Sequence, residues 1–421
     1  MLDIKFIREN KELIQEGARK KHINFDVEKL IETDDKRLKL LKAVEDMRAE
    51  QNRTSLMIGN NLEPAQRTQL LNEMKILKED MKNQEDELKS VMHEWQLSML
   101  QVPNIPDISV PEGESDEQNM EVRVVGEKPV FSFTPKSHLE LMEMHDLADF
   151  ERGSKVSGFR GYFLKNDGAR LEMALWNYFM DSLVQKGYRA MIVPSLVNRE
   201  TLFGTGYLPQ GEEDLYKTQD GDYLAGTGEV ATMAYYSGEV LEKEKLPLKF
   251  ASFSPCFRRE AGAHGKDVKG LYRVHEFFKL EQVVLCEASH EESVKYHEEV
   301  TKNVEDLLTE LGLPYHVVIN CGGDLGLGQV KKYDIEVWVP SQEKYRETHS
   351  ASYFHDFQTR RLNIRYKDTE GKMRYVHSLN NTAVATPRIL ISILENNQQA
   401  DGTIKIPAPL VKYMGKEYIG K

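Results

Sequence analysis

Apolar side chains recur at two different periods along this chain, and the change of period divides it. Leu70, Met74, Leu77, Met81, Gln84, Leu88, Val91, Trp95 and Ser98 follow an alternating spacing of four and three residues, and all but Gln84 and Ser98 are apolar. That is a heptad seam, the signature of a helix packed lengthwise against another helix. The stretch before it carries the pattern more weakly: Leu30, Leu41, Val44 and Ile58 fit one register, and Arg37, Arg48 and Gln51 interrupt it. Between Glu28 and Leu100 the only glycine and proline are Gly59 and Pro64, which bracket Asn60-Asn61-Leu62-Glu63 and signal a turn. The pattern predicts an antiparallel helical hairpin about 40–50 Å long at 1.5 Å per residue.

Past residue 102 the pattern changes. Val102-Pro103-Asn104-Ile105-Pro106-Asp107-Ile108-Ser109-Val110-Pro111 is proline-rich and runs into the acidic Glu112-Gly113-Glu114-Ser115-Asp116-Glu117. Proline disfavours helix and acids favour solvation, so a linker is expected over 103–125. It divides a helical arm (1–102) from a larger domain (126–421). Within the latter a helical stretch at 171–184 precedes short β-like runs at 190–193, 250–257, 317–319 and 333–339. Their spacing lacks the βαβ rhythm, which points to an α+β fold with an antiparallel sheet flanked by helices. No G-x-G-x-x-G follows a strand and no G-x-x-x-x-G-K-[ST] occurs, so neither a Rossmann nor a P-loop nucleotide site is expected.

Composition narrows the function classes. With 40% hydrophobic and 29% charged residues, the chain has ample material for a folded core. No apolar run reaches the length of a membrane span, and the N-terminal Met1-Leu2-Asp3-Ile4-Lys5-Phe6-Ile7-Arg8 is no secretory signal. Cys256, Cys286 and Cys321 are too few and scattered for a disulfide framework or zinc knuckle. A cytoplasmic protein with no membrane partner and no structural metal is the expectation. A net charge of −12 argues against non-specific coating of nucleic acid, which needs many cationic contacts to phosphate.

The chemistry concentrates between Phe253 and Glu281. Read as a strand, 272–281 puts Arg273, His275, Phe277, Lys279 and Glu281 on one face. Cys256, Arg258 and Glu260 share a face of the preceding strand in the same way, and the loop between holds Gly262, Gly265, Gly270, Lys266 and Lys269. Arginine forks suit phosphate, an aromatic ring can stack on a base, and a carboxylate can receive an ammonium or hydroxyl group. Together these fit a nucleoside triphosphate beside a small polar amine.

Phe257-Arg258-x-Glu260, followed by a glycine-rich loop and Arg273-x-x-x-Phe277, resembles motif 2 of class II aminoacyl-tRNA synthetases. The fuller string through Arg259, Gly262, Gly265, Gly270, Val274, His275, Lys279 and Glu281 resembles the seryl-tRNA synthetases in particular. The resemblance spans the whole chain, since that family places a helical hairpin, a linker and a catalytic domain of about 300 residues in this order. The segment 171–194 resembles motif 1, the family's dimer interface. Thr227-Gly228-Glu229 resembles its serine-binding T-x-E segment, and Thr227 also suits the N-cap of a following helix. Glu347-Thr348-His349-Ser350 resembles the segment holding Mg²⁺ and the ATP phosphates; in an ideal strand Glu347 and Ser350 would face opposite ways, so a bulge or turn is required. The run from Leu379 to Arg388 resembles motif 3, with Thr386-Pro387 expected as N-cap and first residue of a helix.

The resemblance implies a homodimeric serine–tRNA ligase that uses Mg²⁺ with ATP. Such an enzyme converts L-serine and ATP to seryl-adenylate, then transfers the seryl group to tRNA(Ser) and possibly to tRNA(Sec). It assigns Arg258, Glu260 and Arg388 to catalysis, and Thr227, Gly228, Glu229, Arg258, Glu281 and Thr382 to serine. It assigns Arg258, Arg259, Glu260, Arg273, Val274, Phe277, Glu347, Thr348, His349, Ser350 and Arg388 to ATP, with Glu347 and Ser350 on the metal. Arg48, Arg53 and Arg67, nearest the hairpin tip, become candidate tRNA contacts. Pattern alone leaves the hairpin equally readable as a dimerisation or spacer element. Two rivals stand beside the enzyme reading: a non-catalytic tRNA-binding paralogue and an amino acid:carrier-protein ligase.

Overall fold

The computed structural model describes residues 1–59, 63–262, 267 and 269–420. Contacts divide it into two compact units: Met1–Arg19 with Ile23–Pro103, and Lys20–His22 with Asn104–Lys421. Among the described residues no helix is long and apolar enough to cross a membrane.

The first unit is dominated by α1 (Val27–Ile58) and α2 (Pro64–Gln101). Asp26 caps α1 by accepting from the Lys29 N–H, and Pro64 opens α2, where its missing N–H costs nothing. The predicted turn residues Asn60, Asn61 and Leu62 lie outside the described residues. Every α2 seam position from Leu70 to Ser98 is buried or half-buried, and Glu85 alone joins them. From Arg37 onward the buried or half-buried residues of α1 are Arg37, Leu40, Leu41, Ala43, Val44, Met47, Gln51, Thr54 and Ile58, so Leu41 is covered as expected and Met47 takes the place expected of Arg48. Arg37 is tolerated because its guanidinium lies over the Trp95 ring at 4.6 Å and bonds Asp34 at 2.7 Å. Arg48 points outward and pairs with Glu85 at 2.8 Å.

The second unit is built on one eight-stranded sheet: β1 (Met120–Val125), β2 (Arg189–Ile192), β3 (Leu248–Phe257), β4 (Glu276–Cys286), β5 (Tyr315–Ile319), β6 (Lys331–Val339), β7 (Lys344–His355) and β8 (His377–Thr386). Their order is β1-β5-β6-β7-β8-β4-β3-β2, antiparallel except for the parallel pair β2/β3. The last six residues of the expected linker are therefore an edge strand. The rest of that segment is pinned as well, because the Asn104 amide donates to the carbonyls of Gly328 and Phe354, and Asp107 accepts the Tyr353 hydroxyl. Proline content excluded helix there; it did not exclude extended chain held by side-chain bonds.

β4 shows how the sheet separates core from site. Phe278, Leu280, Val284 and Cys286 point one way, into a cluster that includes α3 (Asn166–Gln185), α5 (His290–Glu310) and α7 (Arg388–Asn396) or rings packed on it. Phe277, Lys279 and Glu281 point the other way, followed by Val283 and Leu285 in a second apolar cluster. Two short helices flank this second face, α4 (Gly228–Ala234) and α6 (Phe357–Leu362).

Candidate active site

Two solvent-connected cavities lie against the Phe277–Lys279 face of β4. The first, about 590 Å³, is walled on one side by Arg258, Glu260, Arg273, Val274 and Phe277. Glu347, Thr348, Ser350, Thr382 and Arg388 face them. The second, about 1110 Å³, takes Thr227 and Glu229 together with Tyr207, Lys332, Gln358 and Asn380. Arg258, Lys279, Glu347 and Ser350 line both, so the two cavities meet at these four side chains.

Arg258 and Glu260 sit just past the end of β3 instead of within it. The Arg258 N–H still pairs with the His275 carbonyl at 2.9 Å, which holds the arginine at the cavity junction with its guanidinium 5.4 Å from the Phe277 ring centre. Glu260 adopts a positive φ of 55° and accepts from Arg273 at 2.5 Å. Of the connecting loop, Ala263, His264, Gly265, Lys266 and Val268 lie outside the described residues, among them two members of the predicted glycine- and lysine-rich set.

The required irregularity is present in β7. His349 pairs with Ile335 and Glu347 with Glu336, so Thr348 is the extra residue of a β-bulge. The bulge turns a spacing of three into a same-side pair, and Glu347 and Ser350 both reach the cavity junction. Arg388 opens α7 and donates to the Glu347 carbonyl at 2.9 Å and to its carboxylate at 3.4 Å, and to the Tyr272 carbonyl. Withdrawal from water would raise the Glu347 pKa, but Arg388, Lys332 and Arg258 more than offset this and hold it below the usual carboxylate range.

Thr227 lines the second cavity and takes the predicted capping role. Its hydroxyl caps α4 by accepting from the Glu229 N–H, and it also donates to Glu281 at 2.6 Å. Glu281 further accepts from Lys279 at 2.8 Å, Asn380 at 3.0 Å and the Glu229 N–H at 2.9 Å. Burial works against its charge, yet the Lys279 ammonium and these donors keep it below the normal range. Glu229 behaves oppositely: burial, then the nearby Glu281 charge, push it up to about 7. At Gly228 a Cβ would stand 3.0 Å from the Ser254 hydroxyl and 3.2 Å from the Glu281 carboxylate, so a side chain there would press on both.

At three positions the side chain lies elsewhere than its sequence context suggests. His349 lines neither cavity; its side chain is buried against Phe179, bonded to Thr348 at 2.7 Å, and burial depresses its pKa to about 3. The bulge that brings Glu347 and Ser350 together turns the residue between Thr348 and Ser350 inward. Arg259 lines neither cavity and is exposed, with its backbone N–H tied to the Asp214 carbonyl. Thr386 does not cap α7, because it is still the last residue of β8 and its hydroxyl receives the Trp176 indole N–H at 2.9 Å; Pro387 is the capping position. Thr382 lines the first cavity and not the second. Sequence reasoning gave no site role to Lys279, Asn380, Gln358, Tyr207 or Lys332. Lys279 was within reach of it, as an inward cation on the chosen face of β4; the others come from elements with no recognisable local signal. Arg53 and Arg67 are exposed on the first unit.

Comparison with known proteins places this architecture. Residues 216–397 match the family model described as the tRNA synthetase class II core domain (G, H, P, S and T), and residues 1–106 match the seryl-tRNA synthetase N-terminal domain. The chain is 47% identical over 423 residues to the serine--tRNA ligase of Deinococcus radiodurans, covering 100% of this chain and 99% of that protein. Over 421 residues it is 46% identical to the serine--tRNA ligase of Caldicellulosiruptor saccharolyticus, covering all of both. Among solved structures, the seryl-tRNA synthetase from Pyrococcus horikoshii complexed with ATP superposes with a TM-score of 0.91 at 38% identity, covering 100% of this chain and 99% of that one. The cytoplasmic serine-tRNA ligase from Naegleria fowleri in complex with AMP gives 0.86 at 31% identity, with 100% and 98% coverage.

Proposed function

Because the chain belongs to the seryl-tRNA synthetase family, we propose that its two joined cavities form one site in which L-serine and ATP react and from which tRNA(Ser) is charged. The observation that carries this is the junction itself: a guanidinium, an ammonium, a carboxylate and a hydroxyl where the cavity holding Phe277 and Arg388 meets the polar cavity holding Thr227 and Glu229.

In the first step the serine carboxylate attacks the α-phosphorus of ATP, a new O–P bond forms, and pyrophosphate leaves with the electron pair of the broken bond. The chain's part is placement and charge neutralisation, and it needs no side chain to act as base. Arg258, at the junction, lies against the α-phosphate, and Arg273 takes the outer phosphates on exchanging its Glu260 partner for them. Phe277 and Arg388 sandwich the adenine. Glu347 and Ser350 fit Mg²⁺, since the bulge at Thr348 sets two hard oxygen donors on one side of the strand. The bound ion would supply further neutralisation of phosphate charge. Thr227, Glu229 and Glu281 surround the serine, and a site whose buried groups bond a hydroxyl rejects alanine strongly. In the second step the terminal ribose hydroxyl of the tRNA attacks the acyl carbon and AMP leaves. The hairpin of the first unit carries the tRNA contact, with Arg53, Arg67 and Arg48 as its basic residues near the tip. Two copies of the chain pair through α3 and β2.

Serine-dependent ATP–pyrophosphate exchange tests the reading. Exchange with serine, little with alanine or threonine, and a fall of at least about 10³ in Arg258→Ala are expected, as for loss of a group aligned on transferring phosphate. Folded protein that binds ATP yet exchanges with no amino acid would overturn it. Charging assays with tRNA(Ser) and tRNA(Sec) then read the second step.

A further inference from the structure

Two buried carboxylates beside Thr227, Glu229 on the cavity wall and Glu281 behind it, are unequally used. A carboxylate offers about four lone-pair positions. Glu281 fills them with the Thr227 hydroxyl, the Glu229 N–H, the Lys279 ammonium and the Asn380 amide. Glu229 has two donors, Gln358 at 2.6 Å on Oε1 and the Tyr207 hydroxyl at 3.1 Å on Oε2. It therefore keeps capacity for an incoming ammonium group, and its orientation depends on those two neighbours. Gln358 comes from α6, 129 residues along the chain, and is 1% exposed. Its own orientation is set from behind: the Ser378 hydroxyl donates to its amide oxygen at 2.8 Å, which turns the NH₂ towards Glu229 and the Thr205 carbonyl. A buried amide whose three polar contacts are all made cannot rotate without losing them.

We infer that Gln358 is a positioning residue for serine binding: its amide, locked by Ser378, holds the Glu229 carboxylate in the orientation that receives the substrate's ammonium group. The inference rests on the second cavity being the serine site. The other charged or titratable groups facing Glu229 are Glu281, Lys279 and Tyr207. None of them duplicates the amide, because Lys279 is spent on Glu281 and Thr227, and Glu281 is a like charge.

Exchange kinetics of Gln358→Met, Ser378→Ala, Glu229→Gln and the double variant E229Q/Q358M test it. Gln358→Met keeps the volume and removes the donor. It should raise the serine KM roughly ten- to a hundred-fold, the range for a hydrogen bond to a charged group. The ATP KM and the kcat at saturating serine should stay within about twofold. Ser378→Ala, which frees the amide without emptying the core, should move the serine KM in the same direction by about threefold or more. The double variant should be no worse than Glu229→Gln alone. Equal loss in both KM values, full additivity in the double variant, or an unchanged serine KM in Ser378→Ala would overturn the inference. An unchanged serine KM in Glu229→Gln would instead overturn the assignment of the cavity to serine.

Discussion

At the scale of single residues, burial decides more than identity. Glu172 of α3 is 7% exposed, its Oε1 has no hydrogen-bond partner among the described residues, and burial pushes its pKa up to about 7. A carboxyl whose folded pKa lies above its unfolded value binds more protons when folded. Its protonated form is thus tolerated below about pH 4.5, and stability is lost as pH rises through the window from there to about 7. Glu172→Gln removes that dependence. Relative to the parent, the variant should gain roughly 3 kcal/mol between pH 5 and pH 8, at about 1.4 kcal/mol per pKa unit. Thermal melts at the two pH values check this, and an equal gap at both would sink it. The same distinction explains which site residues the sequence revealed. Phe277 and Glu281 sit on β4, whose alternation is regular enough to assign a face from spacing alone. Arg258 and Arg259 lie past the strand end, and Glu347 and His349 flank the bulge, where alternation no longer applies and only the motif resemblance points to a role.

At the scale of elements, the bulge in β7 is the feature on which the proposed metal pair depends. Inserting one residue between Ile335 and Glu336 of β6 would give Thr348 a pairing partner, restore strict alternation along β7 and send Glu347 and Ser350, three residues apart, to opposite faces. Exchange should then fall by at least about 10³. Thr348→Ala, which keeps the extra backbone residue, should retain most activity. Comparable loss in both would mean that the bulge does not matter. Elements with a strong period were legible in advance. The α2 seam appeared where the heptad placed it, and the predicted runs at 190–193, 250–257, 317–319 and 333–339 all fall within or against strands of the sheet. The register of α1 was harder because Arg37 occupies an inward position by lying flat on Trp95, a compensation written on the other helix. Likewise, nothing local to Thr386 says that its hydroxyl answers to Trp176, 210 residues away in sequence.

At the scale of the whole molecule, the described chain leaves a band of apolar surface on α3 and the segment around β2. Ile192 is 85% exposed, Met173 55%, Leu196 52% and Val184 47%. Apolar exposure of this kind is what a subunit contact covers. Ile192→Asp should convert the proposed dimer to a monomer in sedimentation measurements, with exchange reduced; a dimer of unchanged stability would remove this surface from the interface. The division into two compact units near residue 103 was readable from the two periods of hydrophobicity, whereas the cavities were not, because their walls converge from positions between Thr205 and Arg388. That convergence has a thermodynamic corollary. Four side chains belong to both halves of the site, so neither substrate can settle without altering what the other meets. Whatever factor bound ATP adds to the affinity for serine, bound serine must add to the affinity for ATP. A single unreactive molecule joining adenosine to a seryl group across the junction would then hold on more tightly than its two pieces together, since the second piece arrives already delivered by the first.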